Sequence, residues 1–149
     1  MPTPDEMRAL NQRFVEQVFN QQRLDAAEEM LADDFTEHAD LPPGMTPDKQ
    51  GALEWFKIAF GMSSDMRMEV LNTIVSGDRI ASLSRLRGTD TGGAMPGMPP
   101  TNKTFEVESI DIMRVSDDGK FSDHWGITDT MSMMQQLGLA PSPEGPPPA

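Results

Sequence analysis

Two residues in the last third of the chain, Asp111 and His124, are of types and at a spacing that could move protons. They sit in two alternating stretches, Thr104 to Val115 and Phe121 to Asp129, joined by Ser116-Asp117-Asp118-Gly119, whose Asp/Gly chemistry is that of a β-hairpin turn. Side chains alternate across a strand, so Val107, Ser109, Asp111 and Met113 share one face while Ile110 and Ile112 take the other. In the second strand Ser122, His124, Gly126 and Thr128 share a face, opposite Phe121, Asp123, Trp125 and Ile127. Pairing about the turn sets Asp111 opposite His124, with Cβ atoms about 5 Å apart. An imidazole titrates near neutrality, and a carboxylate beside it fixes its tautomer and raises its basicity. Alternatively Asp111 is the base, its pKa raised by burial. Either arrangement suits reactions that take a proton next to a carbonyl and give one to oxygen, such as aldol closure, isomerisation and dehydration.

The elements that must hold this pair can be read from the amino terminus. Pro4-Asp5-Glu6 opens a helix whose apolar residues Leu10, Phe14, Val15, Val18 and Phe19 recur at helical spacing. A second helix begins near Leu24-Asp25, runs through AAEEMLADD and gives way to Phe35-Thr36-Glu37-His38. The proline-broken segment ADLPPGMTPDKQ is a loop, and Thr46-Pro47-Asp48 starts a third helix carrying Leu53, Phe56, Ile58 and Phe60, closed by Gly61. From Met66 the period becomes two: MRMEVLNTIV and RIASLSRLRG read as strands about Ser76-Gly77-Asp78. The glycine- and proline-rich GTDTGGAMPGMPPTNK is a long loop of the kind that often carries function. After the hairpin come a short helix ending at Gly138 and a tail, residues 141–149, that reads as disordered beyond a single domain of residues 1–140. Helices followed by meandering strands predict an α+β fold, with the helices covering one face of a curved sheet.

Composition narrows the function. The 149 residues carry a net charge of −12, which argues against nucleic acid and anionic membranes as partners. No apolar run approaches the roughly 20 residues of a spanning helix, and MPTPDEMRAL lacks signal-peptide character, so the expectation is a soluble, cytoplasmic protein. There is no cysteine, hence no thiol nucleophile, and two histidines among scattered acids predict no metal site. The Gly-rich loop lacks the lysine and strand-to-helix context of a phosphate cradle. Thirteen methionines are compatible with a pliable apolar pocket and equally with ordinary core.

Gly77-Asp78-Arg79, Gly88-Thr89-Asp90-Thr91-Gly92, Met95-Pro96-Gly97-Met98-Pro99-Pro100-Thr101, Ile110-Asp111-Ile112-Met113-Arg114, Asp118-Gly119-Lys120, Asp123-His124-Trp125 and Gln136-Leu137-Gly138 together resemble, in that order, the SnoaL-like polyketide cyclases of the nuclear-transport-factor-2-like superfamily. The resemblance implies a conical α+β barrel, a curved, mainly antiparallel sheet covered on its concave face by three N-terminal helices. It implies ring closure of an aromatic polyketide ester by intramolecular aldol chemistry, with no cofactor and no metal. It also implies a homodimer through the outer sheet face. In such cyclases a catalytic aspartate stands two residues after the histidine of the last strand, and here that position is Gly126. Isomerases, dehydratases, epoxide hydrolases and non-catalytic binders share the scaffold, so these remain alternatives.

Alternation alone would bury Ile110, Ile112, Trp125 and Ile127 and expose Asp111 and His124; the resemblance reverses this, turning Asp111 and His124 into the cavity and leaving the isoleucines and Trp125 to a second subunit. On that reading Asp111 and His124 are the catalytic residues. The residues expected to meet a hydrophobic, possibly polycyclic substrate are His38 at the rim, Phe19 and Trp55 from the roofing helices, Asp90 at the loop mouth, and Met113 and Gly126 beside the pair.

Overall fold

Thr3 begins the first helix by caging its free amides. In the computed structural model, which describes residues 1–142, its hydroxyl accepts the Glu6 N–H while the Glu6 carboxylate accepts the Thr3 N–H, a reciprocal cap on α1 (Pro4–Phe14). The helix continues as one π-helical stretch, Val15–Asn20, and Phe14, Val15 and Val18 are all buried. Asn20 ends it by bonding both the N–H and the carbonyl of Met68 with its side chain. Next come α2 (Leu24–Met30), β1 (Leu31–Glu37) and α3 (Lys49–Met62), the last capped by Asp48, whose carboxylate accepts the Gly51 N–H at 2.9 Å. Then follow β2 (Arg67–Ser76), β3 (Arg79–Thr89), β4 (Thr104–Val115), β5 (Phe121–Thr128) and α4 (Thr130–Gln136). Residues 143–149, most of the tail expected to be disordered, lie outside the described residues.

The five strands form one curved sheet in the order β1-β5-β4-β3-β2, antiparallel except where β1 runs parallel to β5. The expected α+β architecture holds, with two corrections. The run AAEEMLADD is not one helix: it ends at Met30, and Leu31-Ala32-Asp33-Asp34 opens β1. Intrinsic preference favours the helix, but the pairing of β1 with a distant strand overrides it. The hairpin register also differs. Asp111 stands opposite Gly126, and His124 opposite Met113. Ser122 is a bulge, since Arg114 pairs with Asp123 and Val115 with Phe121. The shift of two keeps Asp111 and His124 on one face, because only an odd slip would part them.

That bulge also turns Phe121 inward, against the expected alternation. Fully buried, its ring meets Phe14 edge-on at 5.2 Å, and Phe56 meets Phe14 at 6.0 Å and Phe19 at 5.5 Å. Such edge-to-face pairs add about 0.5–1.5 kcal/mol each beyond the area they bury. This aromatic cluster pins the helices to the inner face of the sheet.

Candidate active site

Along each central strand the inner face changes from apolar to polar and back. β3 presents Ile80, then Ser82 and Ser84, then Leu86; β4 presents Met113, then Asp111 and Ser109, then Val107 and Phe105. Ile80 and Met113 belong to one apolar cluster, with Phe14, Phe56 and Phe121, while Leu86, Val107 and Phe105 belong to a second, with Met66 and Met133. The polar band runs between the two clusters. From α1, buried Asn11 reaches it, its amide donating to Ser82 Oγ at 3.1 Å. No buried side-chain nitrogen or oxygen among the described residues lacks a partner, so the band is a satisfied network.

At its centre the imidazole of His124 is held between two carboxylates. Nε2 lies 2.8 Å from Asp111 Oδ1, and Nδ1 lies 2.7 and 2.9 Å from the two oxygens of Glu37. Asp111 Oδ2 accepts from Ser109 Oγ at 3.1 Å, and Glu37 Oε1 accepts from the Ala39 N–H at 2.9 Å. The side chains of Asp111, His124 and Glu37 are 26%, 21% and 11% exposed, so the pair can be reached while Glu37 is largely covered. Burial disfavours the imidazolium, but the hydrogen bonds and negative charge of Asp111 and Glu37 outweigh it and push the His124 pKa up to about 9. At neutral pH both ring nitrogens therefore carry protons, one donated to each acid.

Gly126 makes the Asp111–His124 contact possible. A Cβ at this position would stand 2.5 Å from Asp111 Oδ1 and 2.7 Å from His124 Nε2, so the hydrogen bond crosses the space a side chain would fill. The glycine where the resemblance implies an aspartate thus leaves the space in which these two side chains meet.

Glu37 escaped the sequence reading. It ends β1, and its parallel pairing with His124 joins positions 87 residues apart, which no local pattern announces. The one available signal was alternation through Phe35-Thr36-Glu37-His38: Phe35, which is buried, and Glu37, which is partly so, fall on the inner side, so His38 falls on the outer.

His38, expected at the cavity rim, is accordingly on the other side of the sheet from Asp111. Its Nε2 lies 2.9 Å from Asp123 Oδ1, and its ring stacks on Trp125 at 4.4 Å. The Arg79 guanidinium also lies against the Trp125 ring, at 4.5 Å. Burial raises the Asp123 pKa, but hydrogen bonds from His38, Ser122 and Arg114 more than compensate and hold it below the usual carboxylate range. Asp90 is fully buried, and its carboxylate accepts the N–H groups of Gly93 and Thr101 and the Thr101 hydroxyl, so both oxygens shape the loop they begin. Trp55 stands on the exposed side of α3, and Phe56 takes the inward place expected of it. Phe19 bridges the two apolar clusters, and Met113 is buried opposite His124. Two surface clefts, of about 280 and 550 Å³, lie elsewhere: one by Arg85, Glu106, Asp129 and Ser132, the other between Met1, Glu6, Leu10 and Asp117. Neither is lined by Asp111 or His124.

Known proteins agree with this architecture. Over 123 residues the chain is 30% identical to the nogalonic acid methyl ester cyclase of Streptomyces nogalater, an alignment that covers 80% of this chain and 89% of the relative. It is 33% identical over 129 residues to the aklanonic acid methyl ester cyclase DauD of Streptomyces sp. strain C5, covering 77% and 78%. Its fold matches that of TsrD from Streptomyces laurentii with a TM-score of 0.82, over 94% of this chain and all of the other, at 20% identity. Residues 9–137 match the family model for SnoaL-like polyketide cyclases, and the chain belongs to that family.

Proposed function

We propose that this protein is a cofactor-independent cyclase that closes a ring in a polyketide ester by an intramolecular aldol reaction, with Asp111 as base and His124 as acid. The observation that carries the reading is the 2.8 Å contact between Asp111 Oδ1 and His124 Nε2 in a polar band bounded by two apolar clusters. Because His124 is charged at neutral pH, it is the proton donor, and the carboxylate beside it is the acceptor. Asp111 takes a proton from a carbon flanked by carbonyls. The enolate carbon attacks a second carbonyl carbon of the same molecule, and the π pair moves to oxygen. The alkoxide then takes the Nε2 proton. The proton held by Asp111 returns to Nε2 across their contact, so the pair is restored and no atom is lost.

Two relatives are named for methyl esters, and the site favours such a neutral substrate. Two carboxylates and one imidazolium leave it net negative, no lysine or arginine bonds to Glu37, Asp111 or His124 among the described residues, and the chain as a whole carries −12. Incubating the protein with nogalonic or aklanonic acid methyl ester and with the corresponding free acids tests this by chromatography. Ring closure is expected with an ester, and about tenfold or more slowly with its acid, because like charges are brought together. Absence of ring closure with both esters, or equal rates for ester and acid, would overturn the assignment.

The outer face supports a homodimer. Ile74, Ala81, Ile112 and Trp125 lie in one register row and Leu83, Ile110 and Ile127 in the next, with Ile74 65%, Ile110 58% and Ile127 80% exposed. A contiguous apolar face of this kind is a mark of association. Sedimentation at micromolar concentration is expected to give twice the chain mass, and Ile110→Glu with Ile127→Glu to give a monomer; a monomeric wild type would contradict it.

A further inference from the structure

We infer that Glu37 is the positioning residue of this site: by accepting the Nδ1–H of His124 it holds the ring so that Nε2 alone delivers the proton, and it keeps the ring's charge balanced while Asp111 is protonated. The inference rests on the acid–base reading above. Both Glu37 oxygens lie within 2.9 Å of Nδ1, and the carboxylate is itself held by the Ala39 N–H. The backbone fixes the approach as well, since Glu37 pairs with His124 in the parallel register and the His38 N–H donates to the His124 carbonyl at 2.8 Å. Once His124 gives up its Nε2 proton, the remaining proton stays on Nδ1, because that nitrogen faces a carboxylate and not the substrate. The neutral ring left behind is then the tautomer whose free lone pair points back at Asp111, ready to be reloaded.

Glu37 also governs charge. When Asp111 has accepted a proton it no longer balances the imidazolium, and an unpaired buried cation is costly. Through that step Glu37 still faces the ring at Nδ1. The charged groups facing the ring are Glu37 from β1 and Asp111 from β4; on β5 itself Asp123 points to the other face, with His38 and Arg114. From the helical side the polar group that reaches the band is the uncharged amide of Asn11.

The test is an NMR titration of the imidazole nitrogens in the full chain without substrate, for wild type, Glu37→Gln and Glu37→Asp. The chain has two histidines, so a His38→Gln spectrum identifies the His124 signals. Removing one facing charge is expected to lower the His124 midpoint by about one pH unit or more in Glu37→Gln, with loss of the Nδ1–H tautomer's predominance in the neutral ring. Glu37→Asp, which keeps the charge at a longer reach, is expected to fall between. In turnover, kcat should drop with KM unchanged, and the alkaline limb of the rate profile should move with the midpoint. A midpoint and tautomer unchanged from wild type, in whichever variant folds, overturn the inference whatever the activity. An altered titration beside full turnover in Asp111→Asn would instead sink the acid–base reading.

Discussion

Asparagine in place of Asp111 is expected to lower turnover about 10²- to 10⁴-fold, the usual contribution of a positioned general base, with the fold retained. The side chain is 26% exposed and stands in the polar band between the two apolar clusters, so its isosteric replacement removes charge without opening a cavity. The amide oxygen of the asparagine could still accept from the imidazolium, yet it could not take the substrate's proton. His124→Ala should cost a comparable factor, because it removes the donor. Steady-state rates with circular dichroism as the folding control decide the matter, and wild-type turnover in either variant would remove the pair from the mechanism. The same contact has a thermodynamic side. The folded His124 pKa of about 9 exceeds the unfolded value of 6.5, so its contribution to stability is full below pH 6.5 and is lost as pH rises through about 9. Melting temperature against pH should fall across that window in wild type and fall less in Asp111→Asn.

Gly126→Ala is expected to act as strongly through a single methyl group. Its Cβ would intrude within 2.5 Å of Asp111 Oδ1 and 2.7 Å of His124 Nε2, so these side-chain ends must shift and their 2.8 Å contact is expected to be lost. Backbone strain plays no part, since Gly126 lies in regular strand pairing opposite Asp111 and is absent from the positive-φ glycines. Alanine otherwise favours a strand over glycine by roughly 0.5–1 kcal/mol. The expected signature is therefore turnover reduced by about 10²-fold or more, the His124 titration moved down, and melting temperature little changed. Gly126→Asp brings the same collision and should not restore a more active enzyme, even though it supplies the residue type that the resemblance implies there. Undiminished turnover in Gly126→Ala would mean that Asp111 and His124 need not touch.

Four of the five strands could be read in advance because alternation and Asp/Gly turns are local, as at Ser76-Gly77-Asp78 and Ser116 to Gly119, where the Gly119 N–H bonds the Ser116 carbonyl at 2.9 Å. The side of the sheet that carries Asp111 and His124 could be placed only through family resemblance, since Ile110, Ile112 and Trp125 are the more apolar set and alternation by itself would have buried them. What local pattern could not supply were consequences of distant pairing. β1 hides in a run of good helix formers, and its place beside β5 decides both that Glu37 enters the site and that His38 leaves it. The bulge at Ser122 has no composition cue, yet it sets the register and sends Phe121 into the core. Asp90 could be seen as a loop residue, but its carboxylate's partners, Gly93 and Thr101, are set by how the loop folds back.

Glu37 and Asp111 reach the same ring on different schedules of chain closure. Asp111 and His124 are 13 residues apart on one hairpin, a unit of the kind that forms in about 1–10 μs. Glu37 is 87 residues from His124 and arrives on an edge strand, so its loop must close before the contact can repay the entropy. A chain in which β1 has opened would keep the Asp111–His124 contact without Glu37, and edge strands open at lower free energy than the sheet centre. Hydrogen exchange at Phe35 to Glu37 would then report the population of chains whose imidazole has slipped back towards ordinary basicity, and the setting of the His124 ring becomes a property of the closed chain and not of the hairpin alone.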